Sequence, residues 1–136
     1  MHQILIVEDS KADLFLIREA IAAAGVIATL YVVHDGQEAI QFLDNVDRRV
    51  VPCPDLVLLD LNIPKRDGTE VLRHLRQSPG CKKSLVLVVT SSDSSRDRAA
   101  VNALGTDGYF RKPSVYADFL KLGEVVRSLL ENPAVG

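Results

Sequence analysis

The chain has 136 residues, which is room for one ordinary domain and enough to bury a core without a disulfide or metal staple. Its 16 Lys and Arg against 18 Asp and Glu give a formal net charge of −2, which argues against non-specific binding to nucleic acid or to an anionic membrane. Hydrophobic residues at 47% and charged residues at 25% exclude a disordered chain, and with no Trp the core falls to Leu, Val, Ile and Ala.

Met1-His2-Gln3 runs straight into a short apolar stretch that is neither a secretory leader nor a membrane span, so a cytoplasmic protein is expected. Residues 4–7 form the first predicted strand. Leu14, Ile17 and Ile21 then recur at helical spacing, with Ser10 as N-cap, Asp13 three residues on, and Gly25 as the stop. A second strand at 29–33 leads to a helix marked by Ala39, Ile40, Phe42 and Leu43. A third strand at 56–59 leads to one marked by Val71, Leu72 and Leu75. After a fourth strand at 85–89, Ala99, Ala100, Ala103 and Leu104 mark a helix ending at Gly105. A short fifth strand at 108–110 precedes one long helix carrying Val115, Phe119, Leu122, Val126 and Leu129. Most strands are apolar at consecutive positions, as strands buried on both faces are. Five such βα units predict a doubly wound, all-parallel α/β sheet with helices on both faces. The expected domain spans 1–131, with 132–136 as a short tail and no effector domain. Cys53 and Cys81 lie far apart, outside any CxxC motif and with no His at ligand spacing, and are read as two reduced cysteines.

In open α/β sheets, ligands bind beyond the carboxyl ends of the strands. There the first strand delivers Glu8 and Asp9, the third Asp60 followed by Leu61-Asn62, the fourth Thr90-Ser91, and the fifth Lys112-Pro113. Three carboxylates at one rim repel one another, and a hard divalent cation such as Mg²⁺ relieves that repulsion. A phosphoryl group can then approach, with Lys112 and the Thr90 hydroxyl on its oxygens and Asp60 as the central nucleophile. Each residue alone has an ordinary explanation: Glu8-Asp9 as caps, Thr90 as a strand-end hydroxyl, Lys112 as a surface charge. Their conjunction at one sheet edge, from separate βα units, is what points to a site.

These residues, with Pro54-Asp55, Ile63-Pro64 and Asp67-Gly68, resemble the receiver domain of two-component response regulators over nearly the whole chain. The resemblance implies a flavodoxin-like three-layer sandwich with strand order 2-1-3-4-5. It implies that Asp60 takes a phosphoryl group from a histidine-kinase phosphohistidine and catalyses its own phosphorylation and dephosphorylation. Glu8, Asp9, Asp60 and the backbone carbonyl of Asn62 would hold Mg²⁺. Thr90 and Lys112 would contact the phosphoryl oxygens, and the Lys112-Pro113 bond would be cis. Thr90 and Tyr109 would form the switch, read out on the fourth helix, fifth strand and fifth helix. Glu8 stands where many relatives have aspartate, and Asn62 and Ser92 stand where the family controls access of hydrolytic water.

The links at 45–54 and 78–84 are similar to those of small regulators partnered with phytochrome-type histidine kinases. With no helix-turn-helix and no basic patch, output is expected through protein contacts, or as a phosphate relay or sink, and not through DNA. Gly123, inside a helix, is explained either by a homodimer interface on the face of the fourth helix, fifth strand and fifth helix, or by tight packing on the sheet. A dinucleotide-binding enzyme fails for want of G-x-G-x-x-G, a Walker-type hydrolase for want of its Gly-Lys-[Ser/Thr] loop, and a haloacid-dehalogenase-type phosphatase because Asn62 replaces its second carboxylate. The remaining alternative is a receiver-like binding module that is never phosphorylated. His2, His34 and His74 carry no expected role.

Overall fold

A computed structural model describes residues 2–131, so the expected tail at 132–136 lies outside the described residues. In chain order the elements are β1 (His2–Val7), α1 (Lys11–Ala23), β2 (Ala28–Val33), α2 (Gly36–Asp47), β3 (Leu56–Leu59), α3 (Gly68–Gln77), β4 (Leu85–Thr90), α4 (Ser95–Leu104), β5 (Gly108–Arg111), α5 (Tyr116–Phe119) and α6 (Leu122–Glu131). The strands form one parallel sheet in the order β2-β1-β3-β4-β5, as expected.

The runs of consecutive apolar residues are explained by two separate cores. Leu5, Val7, Val57, Leu59, Val86 and Val88 point to one face of the sheet, under α2, α3 and α4. Ile4, Ile6, Leu56, Leu58, Leu87 and Val89 point to the other, under α1, α5 and α6. Side chains alternate across a strand, so a strand covered on both sides has no polar position to spare. The edge strands β2 and β5 are only half-buried and carry the more mixed sequences.

Four helices start in the same way. The side chains of Ser10, Asp35, Asp67 and Ser94 accept hydrogen bonds from the backbone N–H groups of Asp13, Glu38, Glu70 and Asp97. Each such cap contributes about 1 kcal/mol, and each N–H donor belongs to an acidic residue that complements the helix dipole.

Three expectations about the helices need correction. The final helix is not continuous. It divides at Leu120-Lys121, where Gly123 N–H bonds to Leu120 O and Glu124 N–H to Lys121 O, three residues back as in a 3₁₀ turn. Gly123 itself is buried against another helix of the chain and not against the sheet. It presses on α1, where a Cβ would lie 2.0 Å from the Ala20 carbonyl oxygen and 2.9 Å from the Ala24 Cβ. The apolar marks on α4 also mislead: Ala99, Ala100 and Ala103 are exposed, and the helix is anchored by Val101, with Leu104 half-buried.

Cys53 and Cys81 are not reduced thiols. They form a disulfide with Cα atoms 5.5 Å apart, across a sequence separation of 28. Cys53 precedes β3 and Cys81 precedes β4, and these strands are neighbours, so the loops leading into them run side by side. Nearby, Asp47 accepts hydrogen bonds from the Ser78 hydroxyl (2.6 Å) and the Gly80 N–H (2.9 Å), which hold its carboxyl below the usual range and tie the same two loops.

Two stability measurements follow from these contacts. Closing a loop of this length stabilises by roughly 3 kcal/mol, so Cys53→Ser/Cys81→Ser should lower the unfolding free energy by about that amount in a denaturant titration. Gly123→Ala should lower it by about 1–3 kcal/mol because α6 must move off α1.

Candidate functional site

The sheet ladder continues one residue beyond the strands at their carboxyl ends. Glu8 N–H bonds to Val33 O (3.0 Å), Asp60 N–H to Val7 O (3.1 Å), and Lys112 N–H to Thr90 O (2.8 Å). These bonds fix the backbone of Glu8, Asp60 and Lys112, so the side chains leave the rim from set positions. Below Asp60, α3 begins at Gly68, whose N–H bonds to Leu61 O at 3.1 Å. A Cβ there would stand 2.6 Å from both the Asp60 carbonyl oxygen and Leu61 Cα, so only glycine permits this approach.

Glu8, Asp60 and Thr90 are buried at 1%, 6% and 0% exposure, while Asp9 is exposed. The Lys112 ammonium spends all three of its donors on carboxylates: Glu8 Oε1 at 2.6 Å, Asp60 Oδ2 at 2.8 Å and Asp13 Oδ2 at 2.8 Å. Asp60 Oδ1 accepts from the Asn62 N–H (3.0 Å), and Glu8 Oε2 from the Ser10 N–H (3.1 Å). Asn62 therefore enters the site through its amide as well as its place in the loop. Along the chain, Asp13 reads only as part of the α1 cap. Its position, one turn into the helix that follows the acidic pair, was the available signal.

The Lys112-Pro113 bond is trans, since no cis peptide bond occurs among the described residues. The trans form is the intrinsically favoured state of an X-Pro bond, and Lys112 reaches its three carboxylates with it.

Thr90 and Tyr109 meet at one intervening residue. Thr90 Oγ1 accepts the Ser92 N–H at 3.3 Å, and the Tyr109 hydroxyl donates to the Ser92 carbonyl at 3.0 Å. The Arg98 guanidinium of α4 lies 4.1 Å from the centroid of the Tyr109 ring, which packs half-buried against the core. Ser92 Oγ in turn donates to Asp97 on α4.

Burial pushes the Glu8 carboxyl up to about 7, against the lowering effect of the Lys112 hydrogen bond and charge and of the Ser10 amide; the Asp60 charge adds to the rise. For Lys112, burial favours the neutral amine, but the hydrogen bonds to Asp13, Asp60 and Glu8 outweigh it and raise the ammonium above its usual value. The site thus holds more negative charge than one ammonium balances. Glu8, Asp9 and Asp60 each present a carboxylate oxygen within 4.8 Å of the others. Two buried carboxylates and one open to water form a donor set that fits a hard divalent cation, which would keep water in its remaining positions.

A family model for the response regulator receiver domain matches residues 4–122. The chain belongs to the response regulator receiver domains. It is 37% identical over 126 residues to the response regulator Rcp1 of Synechocystis sp., covering 92% of this chain and 86% of that protein. Among solved structures, the Mn²⁺-bound form of Rcp1 superposes with a TM-score of 0.87 at 34% identity, covering 99% of this chain and 98% of that one. The phosphorylated cyanobacterial phytochrome response regulator RcpA superposes with a TM-score of 0.88 at 32% identity, covering 98% and 96%. Receiver domains bind a divalent metal at their acidic pocket, and membership in the family implies a histidine kinase partner. No helix among the described residues is long and apolar enough to cross a membrane.

Protons and metal compete for this receiver's carboxylates. Burial raises Glu8 to about 7, so lowering the pH through 7 protonates it and removes one charge of the carboxylate set that fits a cation. Divalent metal affinity, read by isothermal titration at pH 6, 7 and 8, should fall as pH falls, by up to about tenfold per unit below 7. Glu8→Gln should bind more weakly and lose that portion of the pH dependence.

Proposed function

We propose that this chain acts as a response regulator, with residues 1–131 as its receiver domain. It takes a phosphoryl group on Asp60 from a sensor histidine kinase of the phytochrome type. The observation that carries this reading is the set of contacts on Asp60: one oxygen on the Asn62 amide, the other on the Lys112 ammonium, with Glu8 and Asp9 beside it. RcpA, similar along nearly its full length, supports the phytochrome-type partner.

Mg²⁺ is the cation we assign, held by Glu8, Asp9, Asp60 and the Asn62 carbonyl; it would supply charge neutralisation for an incoming phosphoryl group. An Asp60 carboxylate oxygen attacks phosphorus, the bond from phosphorus to the donor breaks, and the donor leaves with the bonding electrons. Lys112 exchanges its Asp60 bond for a phosphoryl oxygen, and Thr90 turns its hydroxyl toward the same group. The acyl phosphate carries about two negative charges. Any movement of Thr90 is felt at Ser92, and through Ser92 at Tyr109 and α4, because Ser92 bonds to all three. We place the output on the face of α4, β5 and the divided final helix α5–α6, acting through protein contacts and not DNA.

That face also suits a homodimer. Val115 and Tyr116, at the start of α5, are 56% and 52% exposed, and Ala99, Ala100 and Ala103 of α4 face solvent. A cytoplasmic location belongs to the same reading, because the kinase draws its phosphoryl group from intracellular ATP. There the Cys53–Cys81 pair would meet reducing conditions.

Incubation with acetyl phosphate and Mg²⁺ should add about 80 Da, one phosphoryl group, to the intact mass of the wild type and nothing to Asp60→Asn. Absence of the gain with both acetyl phosphate and a phosphorylated kinase would favour the unphosphorylated binding module. Light scattering that shows a monomer at high concentration, with and without phosphoryl donor, would remove the homodimer.

A further inference from the structure

Lys112 holds three carboxylates, but only two of them belong to the cluster that can bind a cation or a phosphoryl group. Glu8 and Asp60 share the 4.8 Å metal-capable set with Asp9, whereas Asp13 lies outside it. The Asp13 carboxylate is 31% exposed and projects from the first turn of α1, and its own backbone N–H is held by Ser10 Oγ. Its Oδ2 stands 2.8 Å from Lys112 Nζ, as close as Asp60 Oδ2 does.

When a cation draws on Glu8 and Asp60, two of the three acceptors of the ammonium are withdrawn together, before a phosphoryl oxygen arrives to replace them. A lysine side chain has four rotatable methylene bonds and a strongly hydrated head, so with two acceptors gone it would swing toward water. Asp13 is the one partner that stands outside the metal-capable set and is not the proposed phosphoacceptor. We propose that Asp13 is a positioning residue for phosphoryl transfer: it tethers Lys112 Nζ so that the ammonium stays beside Asp60 while its other two acceptors are committed elsewhere. This rests on the assignment of Asp60 as phosphoacceptor.

The alternative role for Asp13 is as one more repelling charge. Its removal would then ease the approach of an anionic donor and speed the reaction. The two roles predict opposite signs. In the reaction itself, the Asp60 carboxylate displaces acetate from acetyl phosphate. The new P–O bond forms as the P–O bond to the acetyl group breaks, acetate carries away the electron pair, and no proton is exchanged.

The experiment measures the rate of mass gain from acetyl phosphate at saturating Mg²⁺ for the wild type, Asp13→Asn, Asp13→Glu, Lys112→Met and the double variant Asp13→Asn/Lys112→Met. Asp13→Asn should react about tenfold more slowly at saturating donor, as for loss of an orienting contact, and Asp13→Glu should recover part of that. In the Lys112→Met background the Asp13 change should have no further effect, because the tether has nothing left to hold. If Lys112→Met is too slow to measure, the cycle is read in Lys112→Arg, where the expected Asp13 effect is smaller than in the wild type. Circular dichroism and thermal melts of each variant separate these rates from misfolding, and Asn at position 13 keeps the side-chain volume. An Asp13→Asn rate equal to or faster than wild type overturns the proposal, as does an equal slowing in both Lys112 backgrounds. Labelling of Asp60→Asn would instead overturn the assignment of the phosphoacceptor, and the tether with it.

Discussion

The geometry of this receiver depends on one ammonium group. Lys112 Nζ sits among Glu8, Asp13 and Asp60, which come from β1, α1 and β3, while Lys112 itself follows β5. Removing one partner of a buried, hydrogen-bonded ion pair costs about 3–5 kcal/mol, because the other charge is left without compensation. The ammonium therefore joins elements from the middle and the edge of the sheet at the place where their charges would otherwise push them apart. It also leaves negative charge over, and that excess makes the pocket a cation site.

The rest of the scaffold serves that rim. Two hydrophobic cores, one on each face, hold β1, β3 and β4 rigidly, so the residues just past their ends have little freedom. Gly68 lets α3 start against the Asp60 backbone, and Gly123 lets α6 lie against α1, which carries Asp13. At the opposite end of the sheet the Cys53–Cys81 bond and the Asp47 carboxylate secure the loops entering β3 and β4. The molecule is thus braced at the amino ends of its strands and electrostatically loaded at their carboxyl ends.

Between the pocket and the outer surface stands Ser92. Its amide, carbonyl and hydroxyl bond respectively to Thr90, Tyr109 and Asp97. Shifting a two-state equilibrium almost completely takes about 5.5 kcal/mol of differential stabilisation, which a few charge-assisted hydrogen bonds to a new phosphoryl group can supply. A residue that touches the buried hydroxyl, the aromatic ring and the helix is placed to carry that difference outward.

Element order, strand positions, the N-cap at Ser10 and the gathering of Glu8, Asp9, Asp60, Thr90 and Lys112 at one rim could all be read along the chain. Each rests on local periodicity, local capping or the rule that strand ends in such sheets share an edge. What the chain could not show were contacts between residues far apart in sequence. The Cys53–Cys81 bond exists because β3 and β4 are neighbours, and no spacing motif announces it. Gly123 answers to a carbonyl on α1, about a hundred positions earlier in the chain. Asp13 looked complete as a helix-capping residue, and only the folded chain brings Lys112 to its carboxylate. Local propensity decides which elements form. Which charges meet is decided by how those elements stack, and in this receiver the chemistry depends on those meetings.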